Sequence, residues 1–174
     1  MTVMAENGLP CLDLLEATPG ILRGLMTELT AEDARWNPGP ERFSVAEVLA
    51  HLAHSESQCY RLRLDRFMGE TRPEFESDDA QMYLELYRGA DSEEAFDDFE
   101  DQRESNLKFL RDLPDGAGDR VALHREYGEI TLAHMLHEWA LHDLGHIRQV
   151  AELVRARKYQ AGAGPMAASY RLKP

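Results

Sequence analysis

TLAHMLHEWALHDLGHIRQVAELVRAR, residues 131–157, is the longest helical pattern in the chain. Thr131 is a residue type that caps helices, and it stands immediately before the first apolar position. The apolar side chains then recur at the spacing of one helix face, and they are Leu132, Met135, Leu136, Trp139, Ile147, Val150 and Leu153. The segment therefore predicts a long helix with one buried stripe.

Three further segments carry helical patterns of similar weight, over residues 11–29, 44–68 and 91–113. The second begins at Ser44-Val45-Ala46-Glu47, which fits a capping box, and should end at Gly69. Four long helices with at most a trace of strand predict an all-α fold, an antiparallel four-helix bundle. The whole chain, 1–174, is interpreted as one domain, because its length suits one core and no linker interrupts it.

Smaller features complete the expected layout. Pro19-Gly20 falls inside the first helix, so a kink or a late start at Thr18 is expected. A short helix is expected over 80–88. Residues 120–127 alternate enough to predict an extended hairpin arm before Gly128. The acidic run 92–104 is interpreted as a solvated helix face, and Cys59 as a core residue.

The charge balance excludes two classes of partner. With 32 acidic and 19 basic residues the net charge is -13, which disfavours nucleic acid and anionic membranes. No window approaches the roughly 18 apolar residues of a membrane span. The N-terminal residues lack the basic start and apolar run of a secretory signal, so a cytoplasmic location with reduced cysteines is expected.

Two histidines of the last helix are placed to act together. His142 and His146 are one turn apart and about 40° apart around the helix axis. They lie within or beside the apolar stripe. His137 is about 140° away from His142 around the helix axis and cannot join the pair, and His134 lies two turns before His142, which makes it a poor candidate. Asp143 is expected to face away from the pair, as is Arg148. Ring nitrogens on a buried face need partners, and a shared metal ion would supply them.

The second helix offers one histidine for the same site. Its apolar stripe is formed by Val45, Val48, Leu49, Leu52, Cys59 and Leu62. His51 borders this stripe, and His54 lies about 60° further towards solvent, so His51 is the better candidate. A bundle without metal, whose histidines are satisfied by hydrogen bonds, is the alternative at this point.

Two motifs carry a family resemblance: FSVAEVLAHLAHSE, residues 43–56, and HDLGHIRQV, residues 142–150. Together they resemble the DinB-like superfamily, the DNA-damage-inducible family that includes YfiT-like metalloenzymes. The resemblance implies a four-helix bundle in which His51, His142 and His146 bind a divalent metal. The better understood branches of that family transfer low-molecular-weight thiols or isomerise thiol adducts, and dimers are common.

Three neutral imidazoles leave open coordination positions, which is the layout of a catalytic metal site. Zinc and nickel are the first choices of metal and iron is another, because imidazole suits all three. The predicted function is a metal-dependent hydrolase or thiol S-transferase acting on a small molecule, with a low-molecular-weight thiol as one candidate substrate. The alternative is a non-catalytic bundle in which the ion is structural or sequestered.

The remaining expectations concern groups around the site and the outer surface. Glu138 lies one turn before His142, and Gln149 follows His146 by three, so either can orient an imidazole. On the opposite side of the last helix, Leu141 and Leu144 are expected to be exposed. They predict a homodimer that pairs through this face.

Overall fold

The computed structural model describes residues 7–77 and 85–170. Its α-helices are α1 (Leu12–Met26), α2 (Ala31–Arg35), α3 (Val45–His54), α4 (Leu62–Gly69), α5 (Ser92–Arg111) and α6 (Leu132–Val154). Two π-helical segments continue α-helices: Ser55–Arg61 joins α3 to α4, and Arg155–Tyr159 extends α6. The 3-10 helices are Ala117–Asp119 and Ala161–Tyr170, and the strands are β1 (Glu74–Phe75), β2 (Val121–His124) and β3 (Gly128–Thr131).

The four long helical segments form a bundle, which confirms the predicted fold class. Helix α1 packs against α5 and α6, and α3 packs against the same two helices. Helices α1 and α3 therefore occupy opposite corners, although they are the first two long helices of the chain. The expected boundaries hold for three of the four segments, since α3–α4 ends at Gly69, α5 begins at Ser92 and α6 follows Thr131.

The directions of the helices follow from contacts between them. Glu56, in the π-helical continuation of α3, contacts Trp139 of α6. His51, nearer the start of α3, contacts His142, which is further along α6, so α3 and α6 run antiparallel. Helices α1 and α6 run parallel instead, because Cys11 contacts His137, and Thr18, further along α1, contacts Asp143, further along α6. Helix α3 with its continuation through α4 is parallel to α5 as well, since the first turns of each lie in one apolar cluster and the last turns in the other.

The core consists of two apolar clusters with a polar layer between them. One cluster lies around Trp139, Leu136 and Phe67, and the other around Leu49 and Val150. Glu56, Arg103 and Asp143 lie between the clusters along their helices, and all three are at most 1% exposed. Burying charges is costly unless they are paired, so this layer is an unusual feature of the bundle.

Helix α1 passes through Pro19 without a break, so the expected late start at Thr18 is wrong. A proline lacks the N–H that would bond the carbonyl four residues earlier, here that of Leu15. Arg103 replaces the missing donor, because its Nη1 lies 2.6 Å from the Leu15 oxygen. The helix thus tolerates its proline through a side chain of α5.

A small sheet closes the end of the bundle where α4 and α5 end and α6 begins. Strands β2 and β3 form the predicted hairpin, and β1 adds to β2 in parallel. Helix α2 was not predicted, although Thr30 and Asp33 form a capping box at its start. The short helix expected over 80–88 lies largely outside the described residues. In the part of the chain that the structure describes, no helix has the length and apolar character needed to cross a membrane.

Candidate metal centre

Three histidine side chains meet between α3 and α6. One ring nitrogen from each of His51, His142 and His146 lies within 4.8 Å of the other two. The Nε2 atoms of His51 and His142 are 3.1 Å apart, and the ring centroids of His142 and His146 are 4.4 Å apart. All three rings are partly buried. The angular positions of the histidines relative to the apolar stripe of each helix predicted this grouping, and the structure brings the same three residues together.

The local folding of each helix sets these positions. His51 lies in the second turn of α3, whose first turn is fixed by the reciprocal capping bonds of Ser44 and Glu47. His142 and His146 lie on successive turns of α6, and their side chains therefore project from the same side of the helix. Because α3 and α6 are antiparallel neighbours, the single histidine of one helix meets the pair of the other.

The separation of the nitrogens fits a divalent ion. Zinc–imidazole bonds of about 2.0–2.1 Å at a tetrahedral angle place two nitrogens roughly 3.3 Å apart. The observed 3.1 Å between His51 and His142 is close to that value. Two neutral rings at this distance without an ion need one N–H between them, whereas an ion accepts both lone pairs. The donor set therefore fits a metal.

Burial keeps two of these rings in the neutral form that binds metal. The pKa of His51 is lowered to about 3, first by burial and then by the neighbouring His146 and His142. Burial also lowers the pKa of His146 to about 4, with a further contribution from His142. At neutral pH both rings are unprotonated and their lone pairs are available.

The two polar residues predicted to support the site have different positions. Gln149 Oε1 lies 2.9 Å from Nδ1 of His146, a contact that orients this ring with Nε2 directed elsewhere. Glu138 is exposed on α6 and accepts a hydrogen bond from the Tyr60 hydroxyl at 3.2 Å. The Tyr60 ring in turn packs edge-on to His142, with centroids 5.6 Å apart. Glu138 thus reaches the site through Tyr60.

A buried ionic network lies directly beside the histidines. Arg103 Nη1 and Nη2 donate to the two carboxylate oxygens of Asp143 at 2.7 and 3.0 Å, and Nη2 donates to Glu56 at 2.7 Å. Trp139 and Asn106 also donate to the Glu56 carboxylate, at 3.0 and 2.9 Å. The network carries one positive and two negative charges, so its net charge is negative where a cation is expected.

Asp143 connects this network to the site, since its Oδ1 lies 3.9 Å from Nδ1 of His142. Burial alone raises the pKa of an aspartate, but the His142 ring and the Arg103 guanidinium hold the pKa of Asp143 below its usual value. Thr18 donates a further hydrogen bond to it at 2.7 Å. The carboxylate is therefore ionised and lies where it would favour a cation bound by the histidines.

The expectation that Asp143 faces away from the histidine pair is wrong, because the side chain is fully buried. The interpretation of 92–104 as a solvated face is wrong at Arg103, whose side chain is 1% exposed. A stripe analysis that counts apolar residues assigns charged residues to solvent, and these two residues find their hydrogen-bond partners on other helices. Two charges of opposite sign at core-facing positions of separate helices are the sequence signal that was available.

The π-helical segment Ser55–Arg61 accompanies a shift of the buried face of this helix from Cys59 to Tyr60. A π-turn inserts an extra residue, which rotates the helix relative to regular α spacing and commonly marks a functional site. Glu56 is 1% exposed and Tyr60 3% exposed, whereas Cys59, expected in the core, is only partly buried. The sequence contains no cue that predicts this change of period.

Aromatic rings enclose His51. Phe43 stacks on it with centroids 6.1 Å apart, and Tyr87 meets it edge-on at 5.7 Å. Tyr87 is buried and also contacts His54, which stays outside the cluster. His137 lies elsewhere on α6, where Nδ1 contacts the Cys11 sulfur at 3.2 Å. On the other side, His142 and His146 reach the wall of a cavity of about 820 Å³.

The chain is thus a helical bundle in which three imidazoles converge, two of them reaching a cavity, and this donor set fits a divalent metal. A family model of the DinB superfamily matches residues 14–150. The chain belongs to the DinB superfamily.

Comparison with solved structures supports the same fold. YfiT from Bacillus subtilis, described as "a probable metal-dependent hydrolase with an unusual four-helix bundle topology", superposes with a TM-score of 0.73. The two chains are 24% identical, and the match covers 83% of this chain and 84% of that one. No curated protein matches the sequence. At this identity the likeness establishes the fold and leaves the activity to the site itself.

Proposed function

We propose that the protein is a metal-dependent hydrolase of small molecules. His51, His142 and His146 hold one divalent ion, zinc by first choice and nickel by second. The observation that carries the proposal is the convergence of three imidazole nitrogens within 4.8 Å, two of the rings reaching an open cavity. A cavity of about 820 Å³ is within the range of small-molecule sites.

A divalent ion held on three neutral ligands acts as a Lewis acid and lowers the pKa of the attacking group. The chain's own residues prepare this position. Gln149 fixes the orientation of the His146 ring, and ionised Asp143 supports His142 from the buried side. Phe43 and Tyr87 exclude water from one side of His51, which strengthens electrostatic interactions at the site.

Metal content is the first test. Protein purified without added metal and then loaded with zinc should bind about one ion per chain by elemental analysis. His51→Ala should lose this ion, and His137→Ala is the matched control, since His137 is on α6 but outside the cluster. Full binding by His51→Ala would contradict the ligand assignment.

Activity is the second test. The zinc or nickel form should hydrolyse esters or amides from a small-molecule panel, and chelation should abolish the rate. A panel that pairs a thiol with an electrophile identifies thiol transfer instead. A bound ion without activity in either panel would contradict the enzyme proposal and favour a structural or sequestering role.

A further inference from the structure

The wall of the cavity beside His142 and His146 is rich in arginine. Arg42 comes from the loop before α3, Arg148 from α6, and Arg155 from the π-helical extension of α6. The 3-10 helix that ends at Tyr170 forms another part of the wall. Two segments of the chain, the loop before α3 and α6 with its extension, therefore bring arginines to one opening.

The charge of this wall is opposite to that of the protein. The chain carries a net charge of -13, yet among the described residues the cavity is lined by three arginines and a single acidic residue, Glu152. Glu152 lies 2.5 Å from Arg155 and offsets that charge. Within the described ranges 7–77 and 85–170, Arg42 and Arg148 form no ion pair with a carboxylate. Two unneutralised cations thus face the mouth of the metal centre.

A positive opening attracts small anions, whereas the rest of the strongly acidic surface repels them. A guanidinium group presents a planar fork of N–H donors that matches carboxylate and phosphate oxygens. The Phe43 ring lines the same cavity and stacks on His51, so it adds an apolar surface to the wall. The cavity can therefore hold a molecule with an anionic end and a neutral reacting end.

We propose that the substrate is a small molecule carrying an oxyanion, a carboxylate or a phosphate, which Arg42 and Arg148 bind while the bond to be broken lies at the three histidines. This proposal rests on the proposed hydrolase function and names its substrate class. Arg42 and Arg148 are specificity residues, since they contact the anionic group and leave the reacting bond to the histidines.

Binding is tested first, on the metal-free protein, so that the anion cannot ligate a metal. Isothermal titration calorimetry with glutarate and with inorganic phosphate should detect binding, and the tighter of the two identifies the kind of oxyanion. The double variant Arg42→Gln, Arg148→Gln should weaken binding about tenfold or more. Glu152→Gln should tighten it, because it removes the acidic group of the wall. Arg111→Gln, an exposed arginine that pairs with Glu16, is the control.

Turnover is tested next with a matched pair of esters on the zinc-loaded protein. Mono(4-nitrophenyl) glutarate is 4-nitrophenyl butyrate with an added terminal carboxylate. The wild type should have the lower KM for the glutarate ester, and added salt should reduce that advantage. The double variant should raise this KM about tenfold or more, with the butyrate rate unchanged within about twofold.

The outcomes separate the two proposals. Absence of anion binding, or equal binding by the wild type and the double variant, overturns the oxyanion proposal. Equal turnover of both esters in both proteins also overturns it and leaves the hydrolase function standing. Anion binding that depends on the arginines, without hydrolysis of any ester, supports the oxyanion site and contradicts the hydrolase.

Discussion

Replacing Arg103 by methionine tests whether the buried polar layer is held together by its charges. The guanidinium makes four hydrogen bonds, to the Leu15 carbonyl, to Glu56 and twice to Asp143. Its removal leaves two carboxylates, 1% and 0% exposed, without their counter-ion. Breaking a buried pair in this way costs about 3–5 kcal/mol, a large part of the roughly 5–15 kcal/mol that stabilises a domain.

Urea unfolding followed by circular dichroism, with chelator present, measures this loss. With an m-value of about 2 kcal/mol/M, the midpoint of Arg103→Met should fall by about 2 M at pH 7. Arg111→Met on the same helix is the control. Its partner is Glu16 and both side chains are about half exposed, so its midpoint should move by less than about 0.5 M.

The stability difference between the wild type and Arg103→Met should be smaller in acid. In the wild type the pKa of Asp143 is held low, so its contribution is present at neutral pH and is lost as the carboxyl protonates. Without Arg103 burial dominates and raises that pKa, so the variant gains protons on folding and is stabilised as pH falls. The two midpoints should therefore converge between about pH 7 and pH 5. A variant within about 1 kcal/mol of the wild type at pH 7 would refute the reasoning.

Three further predictions concern the site and the surface. Zinc should raise the melting temperature of the wild type and of His137→Ala but not of His51→Ala, since only the folded state presents the ligands together. The metal-free protein should lose stability as pH falls from about 6.5 towards 4, by about 1.4 kcal/mol per pH unit for each of His51 and His146. The reason is that their pKa values are lowered to about 3 and 4 in the folded state, so the unfolded chain binds more protons; flat urea midpoints over this range would contradict it. A homodimer through the outer face of α6 is proposed because Leu141 and Leu144 are 69% and 47% exposed. Leu141→Glu with Leu144→Glu should then yield monomers in sedimentation equilibrium that still bind zinc, and a wild type of monomeric mass would end the dimer proposal.

The histidine cluster was predictable because it depends on local geometry. A spacing of four residues places His142 and His146 on one side of a helix, and the position of the apolar stripe decides that this side is buried. The same reasoning selected His51 over His54, and the structure agrees. The capping residues Ser44 and Thr131 likewise fixed the start of both helices, since a cap acts within one turn.

The partners within the polar layer were not predictable by this route, because they are distant in sequence, although the spacing of Asp143 from Leu136 and Val150 places it on the buried face. Asp143 is separated from Arg103 by 40 positions and from Thr18 by 125. Nothing within one or two turns of Asp143 indicates that a guanidinium will reach it. Glu56 belongs to the same layer, and its partners Asn106 and Trp139 are 50 and 83 positions away in sequence.

Pro19 has a consequence for how the molecule unfolds. The carbonyl of Leu15 lacks the N–H that another residue at position 19 would supply, and it accepts a hydrogen bond from Arg103, 88 positions along the chain. An isolated α1 would leave this oxygen to water and gain little helical order, since short helices are marginal alone. Separation of α5 from α1 thus exposes a defect in α1 as well as the buried charges of the polar layer. We therefore expect the amides of α1 and α5 to exchange as one cooperative unit, with protection in both lost in the same opening event.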